Sequence, residues 1–186
     1  MRPIHLCAML LVLAAAPALA DPPAWAVDKG KSEVAFSGKH VGMDFKGQFG
    51  QWDATILFDP ADLAHSSAKV TFQMATAKTG DETETQRLGE DEWLNPAKFP
   101  TGTFTSTSIT SSGGSNYVAK GTLALKGKVL PVSLPFTLTI SGNSATMKGS
   151  TTVDRTAYDI GMESDASGVY VSKDITIAID LVATKK

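Results

Sequence analysis

The sequence has very little cysteine. The single cysteine among the 186 residues, Cys7, lies in an N-terminal segment that we expect to be removed on export. Without it the chain can form no disulfide, no cysteine-ligated metal site and no cysteine nucleophile. Export without disulfides is compatible with a bacterial periplasm and with a domain large enough to be stable without covalent links.

The chain also lacks an excess of basic residues and a long apolar run after its N-terminus. It carries 17 Lys and Arg against 19 Asp and Glu, a formal net charge of −2. Because affinity for nucleic acid comes mainly from neutralising phosphates, this balance argues against nucleic acid as a partner. No later apolar run reaches the roughly 18 residues of a membrane-spanning helix, so we expect no membrane span.

Residue types that carry metal or nucleophilic chemistry are scarce. Of three histidines, the two beyond the N-terminal segment, His40 and His65, are 25 residues apart, whereas zinc sites without thiols usually need clustered histidines. There is no G-x-S-x-G nucleophile elbow and no Gly-rich phosphate loop. The carboxylates of residues 81–92 fall in a polar stretch typical of a solvated surface. We therefore predict no metal site, no catalytic residues, no cofactor and no enzymatic activity.

Residues 1–20 have the features of a cleaved signal peptide. Arg2 and His5 give a positive start, residues 6–16 form an uninterrupted apolar run of 11, and Ala18-Leu19-Ala20 fits an A-x-A cleavage site. We expect cleavage after Ala20, a periplasmic location, and one domain over residues 21–186.

Beyond this segment the dominant apolar period is two. Apolar residues alternate with polar or small ones in short runs, which indicates antiparallel strands with one buried and one solvated face. The runs are Val34/Phe36, Trp52/Ala54/Ile56/Phe58, Val70/Phe72/Met74, Leu123/Leu125, Val132/Leu134/Phe136/Leu138/Ile140, Ala145/Met147 and Ile175/Ile177/Ile179/Leu181.

Turn-forming residues separate these runs near 42–44, 59–62, 111–116, 126–128 and 141–143. Repeated short strands with such turns predict an all-β sandwich or barrel in a single domain. Only residues 81–95 differ, and we interpret them as a short helical excursion that ends before Pro96.

Four segments of the chain resemble the YceI-like family of bacterial periplasmic, lipocalin-like barrels. Their sequences are SEVAFSGKH (32–40), WLNPAKFP (93–100), GTLALKG (121–127) and DRTAYDIG (154–161), in the family's order. The chain departs from the family pattern at Tyr158-Asp159, where members commonly have Phe-Gly. The resemblance implies an antiparallel barrel of about eight strands that binds a polyisoprenoid or another long amphiphilic chain.

The inward apolar side chains of such a barrel either fill its core or line a ligand cavity, and the sequence leaves both open. If a cavity exists, we expect its lining to include Phe36, Trp52, Ile56, Phe72, Met74, Phe104, Leu125, Phe136, Leu138, Met147 and Ile177. We place His40, Trp93, Arg155 and Tyr158 at an entrance that meets a polar head such as a quinone ring. Arg155 has a structural alternative, which is pairing with a carboxylate.

The function that follows is an exported protein that sequesters or carries a polyisoprenoid or similar amphiphile without chemistry. Its partner would be a hydrophobic small molecule, an isoprenoid quinone being one candidate, and the chain would be a monomer or a homodimer. Two alternatives remain: a filled barrel that serves stress response or protein interaction, and a periplasmic enzyme acting on a lipid-like substrate.

Overall fold

The computed structural model describes residues 21–186, so the predicted signal peptide lies outside the described residues. Eleven strands and one helix follow one another along the chain. They are β1 (Ala24–Val27), β2 (Glu33–His40), β3 (Met43–Phe49), β4 (Trp52–Leu57), β5 (Ser67–Gln73), β6 (Ala77–Thr79), α1 (Glu82–Leu88), β7 (Thr101–Gly113), β8 (Asn116–Leu125), β9 (Lys128–Ser141), β10 (Ser144–Asp154) and β11 (Asp174–Lys185).

The strands form one closed antiparallel barrel with eight positions around its circumference. β1 and β2 share the first position, β3 and β4 the second, and β5 and β6 the third, while β7 to β11 fill the other five. β11 closes the ring by pairing with both β1 and β2. The predicted antiparallel barrel of about eight strands is confirmed.

The three positions that two strands share are neighbours in the barrel, and the breaks between their strands lie side by side. A short 3-10 turn at Lys29–Lys31 separates β1 from β2, and another at Met74–Thr76 separates β5 from β6. Between β3 and β4, the Gly50 N–H donates to Thr76 O and the Gln51 N–H to Thr76 Oγ1, each at 3.0 Å. These bonds satisfy backbone groups that the broken ladder would leave unpaired.

One face of every strand points into the barrel, as the period of two predicts. Large inward side chains stand beside glycines across the ladders: Phe36 pairs with Gly47, Phe72 with Gly102 and Phe136 with Gly149. The Phe49 ring packs between the rings of Phe36 and Phe72. Its centroid lies 5.3 Å from that of Phe36 and 4.6 Å from that of Phe72.

The helical excursion is shorter than predicted. Asp81 caps α1 by accepting a hydrogen bond from the Glu84 N–H at 2.9 Å, and the helix ends at Leu88, before Gly89. Residues 89–100 are turns rather than helix, and the Leu94 N–H donates back to Leu88 O at 3.0 Å. Among residues 21–186, no helix has the length and apolar character that crossing a bilayer requires.

The two ends of the barrel are unlike. At the first, which we call the cap end, β2 turns into β3, and α1, residues 89–100 and residues 155–173 cover the opening. At the second, the terminal end, β1 begins, β11 ends, and residues 58–66 connect β4 to β5.

Candidate functional site

An apolar cavity of about 80 Å³ lies inside the barrel toward the terminal end. All its lining side chains are apolar. Five of the predicted cavity residues line it, namely Ile56, Phe104, Phe136, Leu138 and Met147. The sequence reasoning missed twelve more: Trp25, Phe58, Ala68, Val70, Ile109, Ala119, Leu134, Ile140, Ala145, Ile179, Leu181 and Ala183. Most of the missed residues follow the same alternation as the predicted ones, so the alternation could have identified them.

The other six predicted lining residues do not reach this cavity. They lie in the same continuous core but outside the cavity wall, and Ile177 is only partly buried. They are Phe36, Trp52, Phe72, Met74, Leu125 and Ile177. Here aromatic rings and aliphatic side chains fill the space, as the packing of the Phe36 ring against the Phe49 ring shows. The filled half of the interior thus lies toward the cap end and the unfilled volume toward the terminal end.

Residues 58–66 close the terminal end beside the cavity. Trp25 Nε1 donates to Phe58 O at 3.0 Å, which holds the start of this loop against β1. Inside the loop, buried Ser66 Oγ accepts from the Asp59 N–H at 3.0 Å and donates to Asp62 O at 2.8 Å. Leu63 packs on the core. The loop is therefore held by its own hydrogen bonds, by Trp25, and by the packing of Phe58 and Leu63 on the core.

Tyr117 lies between two aromatic rings near this end. Its ring stacks on Phe136 at 5.4 Å between centroids and meets Phe58 edge-on at 5.5 Å. Because Phe58 and Phe136 both line the cavity, this aromatic row connects the loop to the cavity wall.

The four predicted entrance residues lie together at the cap end, away from the cavity. Arg155 and Tyr158 are only 3% and 2% exposed, so neither borders an open mouth. The Arg155 guanidinium lies 5.5 Å from the centre of the Trp93 ring. His40 is half-exposed, and its Nδ1 lies 2.7 Å from Glu84 Oε1 on α1. These contacts close the cap end, which corrects the expectation of an entrance there.

Arg155 follows the structural alternative and pairs with a carboxylate. Its Nη2 donates to Asp165 Oδ2 at 2.9 Å, and both side chains are buried. The remaining guanidinium hydrogen bonds go to backbone carbonyls of Ile160, Gly161, Asp165, Val171 and Ser172, at 2.7 to 3.2 Å. With its donors engaged by protein, Arg155 organises residues 155–173 and has none left for a ligand head.

Asp165 completes this arrangement. Burial raises the pKa of its carboxyl, but hydrogen bonds from the N–H groups of Val171, Tyr170 and Val169, together with the Arg155 charge, outweigh burial and hold the pKa below its usual value. The two N–H···O bonds at 2.7 Å (Val171) and 2.8 Å (Val169) fix the loop that follows. The two charges are ten positions apart in a segment without an apolar period, so no local pattern predicts their pairing.

A lysine side chain links two further segments of the cap end by hydrogen bonds. Lys126, in the β8–β9 turn, donates from Nζ to Asp159 O at 2.7 Å and also to Glu92 O. Partial burial lowers the pKa of the Lys126 ammonium group. The nearby carboxylates of Asp159 and Glu163 act in the opposite direction and raise it, but burial has the larger effect. Across residues 21–186, no three His, Cys, Asp or Glu side chains come close enough together to hold a metal ion.

The closed eight-stranded meander with an apolar interior defines a lipocalin-like barrel. Within that class, residues 25–183 match the family model described as the YceI-like domain, and the chain belongs to the YceI-like family. A UPF0312 protein of Yersinia enterocolitica is 31% identical over 149 residues, covering 80% of this chain and 71% of the relative. A UPF0312 protein of Shewanella denitrificans is 30% identical over 104 residues, so the match spans only 54% of that relative's length.

Solved structures share the fold. BcnA of Burkholderia cenocepacia superposes with a TM-score of 0.82 at 31% identity, over 86% of this chain and all of BcnA. A polyisoprenoid binding domain from Saccharophagus degradans superposes with a TM-score of 0.65 over 88% of this chain and 99% of that domain. At 15% identity the second likeness concerns the fold alone.

Proposed function

We propose that this protein is exported to the periplasm and there binds the apolar chain of a polyisoprenoid or a similar amphiphile, without making or breaking bonds. The observation that carries the proposal is the cavity near the terminal end, whose lining is entirely apolar. The name of the Saccharophagus degradans neighbour, a polyisoprenoid binding domain, supports this class of ligand.

Burial supplies the affinity in this proposal. Each methylene that leaves water contributes about 0.8 kcal/mol, so a long chain binds firmly without any charge pairing. A polar head buried against such a lining would lose its hydrogen bonds to water, so the head stays outside. We therefore place the head, a quinone ring being one candidate, at the terminal end rather than beside Arg155 and Tyr158.

The cavity must enlarge to take a long chain. Its volume of about 80 Å³ is smaller than the roughly 150 Å³ of an engineered apolar cavity that binds benzene. Met147 can change rotamer at low cost, because its side chain is unbranched and flexible. In this proposal residues 58–66, which close the terminal end beside the cavity, move outward and take Phe58 with them.

Ala183→Leu tests the proposal by filling the cavity. Ala183 lines it near the end of β11, whereas Ala178 on the same strand faces solvent and provides the matched control, Ala178→Leu. Binding of isoprenoid alcohols of graded length would be measured by competition with a fluorescent fatty chain. We expect affinity to rise with chain length in the wild type and the control, and to be lost in Ala183→Leu while its melting temperature is maintained.

A second candidate, the filled barrel acting through its surface, is favoured by the small size of the cavity. It predicts that no chain binds and that Ala183→Leu changes only stability. Equal affinity for short and long chains, or conversion of the added alcohol to a new compound, would also contradict the carrier proposal, and conversion would favour an enzyme.

A further inference from the structure

A polar cleft opens on the outer wall of the barrel, at the side-by-side breaks of the first three strand positions. Its volume is about 440 Å³, within the range of roughly 300–1,000 Å³ that is typical of small-molecule sites. Three of the four glutamines in the chain, Gln48, Gln51 and Gln73, line it. Gln48 faces outward because its neighbours Gly47 and Phe49 face the interior. We call it the glutamine cleft.

The walls of the glutamine cleft are fixed by hydrogen bonds and an ion pair. The Gln73 N–H donates to Gln51 O at 2.9 Å, and the Gln51 N–H donates to Thr76 Oγ1 at 3.0 Å. Lys29, between β1 and β2, pairs with Asp53 on β4 and so joins two further segments. The cleft is therefore held in one arrangement before a ligand arrives, which lowers the entropy lost on binding.

Trp52 presents an unpartnered donor to the glutamine cleft. The residue is only 6% exposed, yet its indole N–H makes no hydrogen bond within residues 21–186, whereas the Trp25 N–H donates to Phe58 O at 3.0 Å. Every fully buried polar side-chain atom of the described chain has a partner, so the Trp52 N–H is not sealed inside the core. Trp52 lines the glutamine cleft and not the apolar cavity, so its N–H is directed toward the cleft. A donor in this nearly buried position favours a ligand that accepts from it, because leaving it unpaired costs free energy.

The other polar side chains of the cleft are neutral or already paired. None of the three glutamine amides makes a hydrogen bond within residues 21–186, and each presents an acceptor oxygen beside a donor NH₂ group. The three charged side chains in the lining have partners of opposite charge: Lys29 pairs with Asp53, and Glu33 accepts from Lys46 Nζ at 3.4 Å. The cleft therefore offers neutral donors and acceptors without an unpaired charge.

We propose that the glutamine cleft binds a neutral saccharide of one or two rings. A sugar hydroxyl both donates and accepts, so two adjacent hydroxyls match one glutamine amide, and a further sugar oxygen accepts from Trp52 Nε1. An ionic ligand would find no unpaired counter-charge, and an alkyl chain would leave the amides without partners. The glutamine cleft shares no lining residue with the apolar cavity, so this binding does not depend on the proposed carrier function.

Titration of the ¹⁵N-labelled protein, followed by ¹H–¹⁵N NMR, tests the proposal. The three tryptophans, Trp25, Trp52 and Trp93, give three indole N–H signals, and Trp52→Phe identifies the one at the cleft. The signals of Trp25, which is bonded to Phe58 O, and of Trp93, at the cap end, are internal references. The neutral probes are glucose, maltose and N,N′-diacetylchitobiose, and the comparison compounds are glycerol and glucuronate.

We expect at least one neutral saccharide to shift the Trp52 signal in a saturable way while the two reference signals stay in place. Gln48→Met and Gln73→Met remove the amide but keep the length of the side chain, and each should weaken binding about tenfold. Gln86→Met, on α1 and outside the cleft, is the matched control and should leave binding unchanged. The dispersion of the same spectra confirms that each variant is folded.

Four outcomes would each overturn the proposal. No neutral saccharide moves the Trp52 signal, or all three indole signals move together. Glycerol or glucuronate binds as tightly as the best saccharide. Both glutamine variants of the cleft bind the saccharide like the wild type.

Discussion

At the scale of single residues, the barrel interior depends on glycines that lie under aromatic rings. A Cβ on Gly102 would overlap the Phe72 ring and come within 2.7 Å of Met74 Cε, and a Cβ on Gly47 would overlap the Phe36 ring. The rings occupy the space that a side chain on the neighbouring strand would fill. This is why the half of the interior toward the cap end can be densely packed.

Gly102→Ala should therefore destabilise the protein. The Phe72 ring must leave its position or strain its rotamer, and overpacking of this kind costs about 1–3 kcal/mol. Gly80→Ala is the control, because no atom lies within 4 Å of the methyl group that alanine would add and the φ of Gly80 is ordinary; it should change stability by less than about 0.5 kcal/mol. Denaturant unfolding gives both values, and equal stability of the two variants would mean that the ring does not cover Gly102.

The Arg155–Asp165 pair makes stability depend on pH. The pKa of Asp165 is lower in the folded protein than its reference value of 3.8. Its contribution is thus present above the unfolded pKa and is lost as pH falls through the lower folded pKa. Asp165→Asn leaves Arg155 buried without its counter-charge, which should cost about 3–5 kcal/mol at neutral pH.

The difference in unfolding free energy between wild type and Asp165→Asn should shrink as the pH falls below about 4, because the wild-type carboxyl then becomes neutral as well. Urea unfolding between neutral and acidic pH measures this difference. Asp91→Asn, at an exposed residue of the cap end, is the control and should change stability by less than about 0.5 kcal/mol at neutral pH. A difference that stays constant down to low pH would show that ionisation of Asp165 does not stabilise the fold.

At the scale of elements, the strands and their turns could be predicted because they depend on local pattern. The alternation at residues 132–140 gives the inward face of β9, and glycine marks the turns at 42, 127 and 142. Asp81 and Asn95-Pro96 bracket the helical excursion, although only Glu82–Leu88 is helical. Periodicity indicates which side chains share a face, and four of the five predicted residues that line the cavity belong to such alternating runs, namely Ile56, Phe136, Leu138 and Met147.

The same local pattern could not show where the cavity ends or how the barrel is closed. The breaks at 50–51 and 74–76 satisfy one another's backbone groups, and at the break at 28–32 the Asp28 N–H donates to Val182 O on β11. These partners are distant in sequence. Residues 155–173 have no apolar period, and their order depends on one ion pair across ten residues. This segment covers the end of the barrel at which the sequence predicts an entrance.

The loop at residues 58–66 should respond to loss of a single hydroxyl. Ser66→Ala removes the acceptor of the Asp59 N–H and the donor to Asp62 O, and an unsatisfied buried group costs about 1–3 kcal/mol. We expect faster hydrogen exchange in 58–66 with unchanged protection of β9 and β10. Ser115→Ala, at an exposed turn position, should leave exchange unchanged.

If residues 58–66 are the route into the cavity, Ser66→Ala should also speed both uptake and release of a fluorescent chain. Stopped-flow mixing measures the two rates. Faster exchange in the loop with unchanged uptake would place the route elsewhere on the barrel.

At the scale of the whole molecule, the two ends of the barrel differ in how they are closed and in what lies beside them. The cap end is sealed by Arg155, Lys126 and Trp93. The terminal end has the apolar cavity and, beside it, the loop of residues 58–66. We therefore expect a bound chain to enter from the terminal end.

Native mass spectrometry of the protein isolated from its host tests location and cargo together. The apolar run at residues 6–16 and the Ala18-Leu19-Ala20 sequence predict a chain that begins at Asp21 and is recovered from the periplasmic fraction. We expect an additional mass that solvent extraction releases as an unmodified amphiphile. Its retention should change little with salt, because burial of apolar surface rather than charge holds it. Retention of residues 1–20, recovery only from the cytoplasm, or a chemically altered cargo would each contradict an exported carrier that performs no chemistry.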